Sequence, residues 1–351
     1  MKKISLFLAS LLCCSLLVGC SGAVNPEFNG TYWLDNPIYQ DVENGFYEKI
    51  EYKLTTVEKD GNFAPQLSEL TPEYLDFYLD ADKSSYVTEL EGKDGLYVYK
   101  TKLVIYGEYS FGESGTYAIE GDVTETETTF KGMKDGFACV KSVKKIKNTY
   151  PKGQTPTGKN DFATVTAEFT VEYGEKNATL TVDAKDDASK ALLSAVNEPV
   201  KVKKYNKKDY IDNELMLLAF RNFQYDKTLS YTFFTIESAS GVLKEIVGSA
   251  KYDITAQSSE EATATANQTI DVNCMIDGNK YNRSFNTFGI TFKTTGEFSQ
   301  AFAYAYYANS IDNDVADAQN RSRHYLVRFY RPMMYNTGYL VYTLNTVSHT
   351  K

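Results

Sequence analysis

The stretch ATATANQTIDVNCMIDGN, residues 262–279, contains the pattern that decides the fold. The side chains at even positions from Ala262 to Ile276 are mostly apolar, whereas those at odd positions are mostly polar. A period of two is typical of a strand with one packed face and one wet face. The run ends at Asp277-Gly278-Asn279, which favours a tight β-hairpin turn.

The same alternation recurs along most of the chain. It is found around Ile50, over 97–109, 115–131 and 163–173, and again over 325–329 and 339–344. Short turns separate many of these runs. We therefore predict a mainly β fold, in which long antiparallel strands form one or more curved sheets with one packed face and one wet face.

One segment follows a helical period instead. Over 209–223, Ile211, Leu215 and Leu218 are spaced to share one face of a helix, and other apolar residues widen that face. Asp209 is suited to cap its start. We predict one clear helix at 209–223, packed on the sheet, and one or two shorter helices elsewhere.

The composition is that of a globular protein. Of 351 residues, 42% are hydrophobic and 24% are charged, which excludes a disordered or collagen-like chain. Tyrosine (28) and phenylalanine (20) are abundant, whereas the sequence has 2 histidines. So few histidines argue against a His-rich metal centre, and we expect neither a metal ion nor another cofactor. The net charge of −9 argues against nucleic acid as a partner.

The N-terminus carries the pattern of an exported protein. Lys2 and Lys3 precede an uncharged apolar run over 4–18, which is shorter than the roughly 20 residues that span a bilayer as a helix. The run ends in Leu17-Val18-Gly19-Cys20, with a small residue before the cysteine. This order resembles the lipobox of bacterial lipoprotein precursors. The alternative is an ordinary secretory signal with a chance cysteine.

The lipobox resemblance implies cleavage before Cys20 and attachment of a diacylglyceryl group to its sulfur, with further acyl chains such as palmitate. The protein would then lie outside the cytoplasm, anchored to membrane lipid through Cys20. We divide the chain into a signal peptide (1–19), a lipidated cysteine and tether (20–30), a β-rich part (31–150), a Pro- and Gly-rich linker or loop (151–160) and a second β-rich part with the helix (161–351). The two β-rich parts are also compatible with one continuous unit.

Charge is segregated along the sequence. Residues 41–130 hold 7 basic and 20 acidic side chains, whereas residues 131–208 hold 16 basic and 9 acidic ones. One interpretation is that these segments neutralise each other in the folded protein. The other is that the lysines of 141–159 and 201–208 face anionic lipid or wall polymer.

A search for catalytic chemistry yields no candidate residues. A nucleophile needs a base within hydrogen-bond reach. His349 lies near the C-terminus, where we expect fraying, and His324 lies in a strand-like run. Ser142 and Lys145 match an SxxK pattern, but they lie in a basic strand without the companion motifs. We therefore expect no catalytic residues and no enzymatic activity.

Two cysteines remain after the proposed anchor, Cys139 and Cys274. Outside the cytoplasm they could form one disulfide. Each also lies in an apolar, strand-like pattern, so two isolated buried thiols are the alternative.

Arginine is concentrated late in the sequence. All six arginines follow residue 220, and four of them fall within a span of eleven residues. Arg321, Arg323 and Arg331 share strand parity with Tyr325 and Phe329, so one face would carry guanidinium groups beside aromatic rings. We name these five residues as a candidate ligand-binding site for an amphiphile, with the tail on the rings and the anionic head on the arginines. The alternative is a sheet rim on which the arginines balance nearby aspartates.

Two functions of different class follow from these observations. The first is a membrane-anchored protein that binds or carries a lipid or other apolar ligand in a curved β-sheet. The second is a cell-surface interaction protein that binds wall glycan or another protein through exposed tyrosines. A pocket lined by the apolar side chains of the alternating strands would favour the first function. A row of tyrosines that face solvent would favour the second function.

The lipobox interpretation predicts that Cys20 carries the anchor. Cys20→Ala removes the sulfur that would accept diacylglycerol, so the variant should accumulate as uncleaved precursor and lose incorporation of labelled palmitate. Gel mobility and acyl labelling in a bacterial host measure both effects. Cys13→Ala is the matched control, which should keep cleavage and label. Persistent label on the Cys20→Ala protein contradicts the prediction.

Overall fold

The computed structural model describes much of the chain from residue 47 onward. The described residues are 47–57, 76–131, 138–154, 160–193, 199–201, 212–221, 230–236, 257–295, 302–308, 324–333 and 337–349. Cys20, Arg321 and Arg323 lie outside them, as do the predicted signal peptide and tether.

Fifteen β-strands make up most of the described residues. They are β1 (Tyr47–Val57), β2 (Asp76–Leu79), β3 (Ser85–Lys93), β4 (Leu96–Ser110), β5 (Thr116–Phe130), β6 (Cys139–Gln154), β7 (Asn160–Tyr173), β8 (Ala178–Ala184), β9 (Val200–Lys201), β10 (Ser230–Ile236), β11 (Gln257–Ile276), β12 (Asn279–Thr295), β13 (Phe302–Ala308), β14 (Leu326–Pro332) and β15 (Tyr339–His349). Within the same residues there are two short helices, α1 (Asp187–Leu192) and α2 (Met216–Phe220), and two 3₁₀ turns, Gly112–Ser114 and Asn213–Leu215.

All fifteen strands belong to one sheet. Its order is β10-β11-β12-β13-β14-β15-β1-β3-β4-β5-β6-β7-β8-β9, and β2 pairs with the end of β4. Most neighbours are consecutive in sequence and antiparallel, and the pairing of β1 with β15 joins the two halves of the chain. The predicted fold class, mainly antiparallel β with long strands and few helices, is confirmed.

The sheet curls until β11 meets β15. Met275 and Ile276, at the end of β11, pair in parallel with Thr346 and Val347, so β11 to β15 form a closed cycle of strands. The turn Asp277-Gly278 follows, with φ of 48° and 80°. Two successive positive φ values suit a two-residue hairpin, and aspartate and glycine tolerate them. The hairpin predicted from the sequence is therefore confirmed.

Strands β6 and β7 pair across the segment that the sequence analysis treats as a linker or loop. Pro151 pairs with Phe162, and Gln154 pairs with Asn160. Residues 151–160 are therefore the end of a hairpin, of which 155–159 lie outside the described residues. The two β-rich parts share one continuous sheet.

The two faces of β1 and β3 to β7 differ in polarity. The inner face buries apolar side chains such as Ile50 and Val165. The outer face carries ion pairs between neighbouring strands: Lys100–Glu91 at 2.8 Å, Lys102–Glu125 at 2.7 Å and Lys145–Glu168 at 3.8 Å. The acidic β5 thus lies between lysine-bearing β4 and β6. In this part of the sheet the segregated charges of the sequence compensate each other.

Residues 212–221, which we call the covering segment, pack on the inner face of the sheet. Leu215, Leu218 and Phe220 are buried, and the Phe220 ring lies 5.0 Å from that of Phe292. The helix predicted at 209–223 is found here as a 3₁₀ turn followed by α2, while 209–211 and 222–223 lie outside the described residues. The helical part of the described segment, 213–220, is shorter than predicted. Leu215 and Leu218 of the predicted apolar face are buried, whereas Ile211 lies outside the described residues.

Arg221, the last residue of the covering segment, forms a buried ion pair with Glu48 in β1. Its guanidinium nitrogens lie 2.7 and 3.2 Å from the two Glu48 oxygens, and the side chains are 5% and 2% exposed. His349 connects this pair to the hairpin turn: its Nε2 lies 3.3 Å from Glu48 and its Nδ1 3.0 Å from Asp277. We call these four residues the closure cluster.

The expectation that His349 is frayed is wrong. Strand β15 continues to this residue because its end pairs with β1 on one side and contacts the β11–β12 turn on the other. Burial alone would raise the pKa of Glu48, but Arg221 and His349 outweigh that effect and hold it below its ordinary value. The Glu48 carboxylate is therefore ionised at neutral pH and compensates the buried guanidinium.

The closure cluster predicts a large loss of stability when its carboxylate is neutralised. Glu48→Gln leaves the Arg221 cation buried without its counter-charge, so the free energy of unfolding should fall by about 3–5 kcal/mol. The matched control is Glu125→Gln, which breaks an exposed pair with Lys102 and should cost less than about 1 kcal/mol. Urea unfolding at neutral pH measures both values. Similar losses for the two variants would show that the buried pair has no special weight.

Candidate functional site

Of the five residues that the sequence analysis placed in one binding site, the structure describes Tyr325, Phe329 and Arg331, and it separates Arg331 from the other two. Arg331 lies near the end of β14 and is exposed to water, whereas Tyr325 and Phe329 are buried in the core. The Tyr325 hydroxyl lies 3.3 Å from His349 Nε2, and the Arg221 guanidinium carbon lies 5.3 Å from the centre of the Tyr325 ring. Tyr325 therefore contacts two residues of the closure cluster, His349 and Arg221.

Arg331 lines a cavity of about 210 Å³ between β4–β6 and the end of β14. Its wall is mainly apolar and includes Phe77, Leu103, Ile105, Tyr109, Ile119 and Ile146. Pro332 and Met333 close it on the side of β14. The cavity lies on the apolar face of the alternating strands, as a pocket for an apolar ligand would require. Tyr325 and Phe329 are not among its lining residues, because both are buried in the main hydrophobic core.

Arg331 places a fixed positive charge beside this apolar wall. The electrostatic interaction with the buried phenol of Tyr342 and a hydrogen bond to the same group raise the pKa of Arg331. An arginine is always charged near neutral pH. The Tyr342 ring lies 4.8 Å from that of Tyr86, which in turn lies 5.5 Å from that of Tyr52. The guanidinium is thus held at the edge of a row of tyrosines.

Asp122 and Thr149 form the polar side of the cavity. The Thr149 amide and hydroxyl donate to the two Asp122 carboxylate oxygens at 2.7 and 2.9 Å. Burial raises the pKa of Asp122, although these hydrogen bonds oppose the rise. Because both acceptor atoms already have donors, Asp122 is held in place as part of the cavity wall.

A second cation, Lys144 in β6, also lines the cavity. Its Nζ lies 2.7 Å from Oε1 of Glu214 in the covering segment, and the two side chains are 9% and 15% exposed. Sequence analysis missed this pair because its members are 70 residues apart. One signal was present: Lys144 shares strand parity with Ile146, so it is a charge on an apolar face. Ser142 and Lys145, the residues of the SxxK pattern, lie on opposite faces of β6 and form no site.

Asp212 is buried at the start of the covering segment. Its Oδ1 accepts hydrogen bonds from the Ser142 hydroxyl at 3.2 Å and from the Glu214 amide at 3.0 Å, and its Oδ2 accepts one from the Tyr173 hydroxyl at 2.5 Å. Burial raises the pKa of Asp212 to about 6, with a further contribution from Glu214, although the hydrogen bonds oppose the rise. The covering segment is therefore attached to the sheet at its start by a carboxyl that titrates near neutral pH.

The two described cysteines are both thiols, and no disulfide joins them. Burial raises the pKa of Cys139. Among the described residues, no group of three or more His, Cys, Asp and Glu side chains could hold a metal ion, and no helix is long and apolar enough to cross a membrane.

Comparison with protein-family models, with curated proteins and with solved structures finds no match to this chain.

The raised pKa of Asp212 predicts that part of the stability depends on pH. The folded protein binds this proton below about pH 6, whereas the unfolded chain binds it only near the ordinary pKa of 3.8. Because the folded state binds more protons in that interval, the free energy of unfolding should fall as the pH rises through it. Asp212→Asn should remove this contribution, which is about 2–3 kcal/mol over the interval.

Urea unfolding of the wild type and of Asp212→Asn at several pH values across that interval measures the difference in slope. The wild type and the variant share all other titrating groups, so the contributions of those groups cancel in the difference between the two slopes. Asp187→Asn, which changes an exposed carboxylate in α1, is the control and should keep the wild-type slope. An Asp212→Asn protein with an unchanged slope would show that Asp212 is ionised in the folded state throughout the interval.

Proposed function

We propose that this chain is a membrane-anchored extracytoplasmic lipoprotein that binds the apolar part of a small anionic amphiphile inside its curved sheet. The observation that carries the proposal is Arg331, a charged and water-exposed side chain that lines a cavity with mainly apolar walls. An amphiphile matches both properties, because its tail would bury apolar surface while its head pairs with the guanidinium.

The size of the cavity favours a small ligand. Its volume of about 210 Å³ is below the roughly 300–1,000 Å³ of sites that enclose drug-sized molecules. A single alkyl chain, or the end of a longer one, fits this volume better than a whole phospholipid with two chains. Each methylene group removed from water contributes about 0.8 kcal/mol, so even a short chain supplies most of the binding free energy.

The proposed anchor agrees with this function. An apolar ligand partitions into membranes, and the lipobox at Leu17–Cys20 would hold the sheet near such a source. Ten residues of tether, 21–30, reach at most about 33–36 Å. The protein would then exchange its ligand with lipid or with another protein at the membrane surface. We propose binding without catalysis and without a cofactor, since neither histidine lines the cavity.

A second candidate function, recognition of a wall glycan or of another protein, has its own supporting observation. Tyr78 is 59% exposed and Tyr117 is 38% exposed. The Tyr117 ring stacks on that of Phe162, with centroids 3.6 Å apart and an angle of 11° between the planes. Exposed rings of this kind provide stacking surface for sugars. Retention of the wild type, but not of Tyr117→Ser, on insoluble cell-wall glycan would favour this alternative.

The proposed function is tested by calorimetry on the full chain carrying Cys20→Ser, which removes the sulfur that would be acylated. Decanoate and decanol have the same chain and differ in the charge of the head. Arg331→Met should weaken decanoate binding about tenfold or more, because a charge-assisted hydrogen bond is lost, and should leave decanol binding unchanged.

Arg328→Met is the matched control for this experiment. It removes an arginine from the same strand but from the opposite parity, so binding of both ligands should be unchanged. No saturable binding by the wild type would refute the proposed function. An equal loss in the Arg328→Met and Arg331→Met variants would refute the role of Arg331.

A further inference from the structure

Glu214 is paired with Lys144, one of the two cations that line the cavity. Its carboxylate is 2.7 Å from the Lys144 ammonium, and its charge also acts on the Arg331 guanidinium and on the phenol of Tyr86. Lys144 and Arg331 both line the cavity. The protein thus supplies a carboxylate of its own where the head of an anionic ligand would meet positive charge.

The covering segment does not depend on Glu214 alone for its position. Asp212 is bonded to Ser142 and Tyr173 at its start, and Arg221 is paired with Glu48 at its end. Leu215 and Leu218 are buried between these points. The Glu214 side chain can therefore leave Lys144 while the rest of the covering segment stays on the sheet.

A buried ammonium is costly unless an anion compensates it. For Lys144, Glu214 provides that compensation. A ligand carboxylate can replace Glu214 without leaving Lys144 unpaired, whereas an uncharged head such as an alcohol cannot. At Lys144 one carboxylate then takes the place of another, so the ammonium stays compensated before and after binding, and this favours reversible exchange.

We propose that Glu214 is an internal competitor of the ligand: a single-chain amphiphile with a carboxylate head displaces it from Lys144 and pairs with Lys144 and Arg331. This deepens the proposed function and rests on it. Glu214 then lowers the affinity for anionic amphiphiles and makes their release easier, while Lys144 and Arg331 together select a carboxylate over a neutral head.

The test is Glu214→Gln in the full chain carrying Cys20→Ser, with decanoate and decanol as probes. Removal of the competing charge should raise the affinity for decanoate about tenfold and leave that for decanol unchanged. Glu125→Gln, which makes the same change in a pair on the outer face, should alter neither. Binding of decanoate by the wild type with an equal or lower affinity in Glu214→Gln overturns the inference and leaves the proposed function standing. Tighter binding of both probes also overturns the inference, because Glu214 would then limit binding through the size of its side chain and not through its charge.

Hydrogen exchange on the wild type provides a second measurement that does not depend on the variant's folding. Saturation with decanoate should speed amide exchange in a peptide covering 212–216, since the contact of Glu214 with β6 is lost, and saturation with decanol should not. Unchanged or slower exchange with decanoate overturns the inference. Absence of decanoate binding in every protein refutes the proposed function, and the inference falls with it.

Discussion

The inner face of the sheet buries charge as well as rings, and the compensation of that charge governs the rest of the structure. Glu48 and Lys144 lie on strands, but their partners Arg221 and Glu214 both come from the covering segment. A buried ion without its partner destabilises a fold by several kcal/mol. The covering segment is therefore fixed at both ends by electrostatics, and its apolar side chains between those ends pack where the ion pairs place them.

The cavity lies between the inner faces of β4 to β6 and the end of β14, and it is lined by Leu103, Ile105 and Ile146. The covering segment is joined to it through Glu214, which pairs with Lys144, a residue that lines the cavity. Polar groups lie at the edges of the cavity because charged pairs join the covering segment to the sheet there. The same interactions thus hold the fold together and give the cavity its polarity.

Local features of this fold follow from the sequence, and long-range ones do not. Alternation over 262–276 and the Asp277-Gly278 turn depend on neighbouring residues, so the β11–β12 hairpin is predictable. Arg331 could be singled out because an arginine on an apolar strand face is conspicuous. Strand parity does not show which apolar side chains other elements cover, so it could not distinguish the buried Tyr325 and Phe329 from side chains that bind a ligand. The Lys144–Glu214 pair depends on a covering segment whose position no local pattern specifies.

The pairing of β1 with β15 has a consequence for biogenesis. Glu48 and His349 are 301 residues apart, and β15 is the last of the described strands to leave the ribosome. Until then one edge of β1 has no partner, so the growing chain presents an open strand edge on which other chains could assemble. Closing so long a loop is slow compared with forming the hairpins of the meander. A chain truncated before β15 would keep this edge exposed. Folding without association through the edge of β1 therefore depends on complete synthesis of the chain.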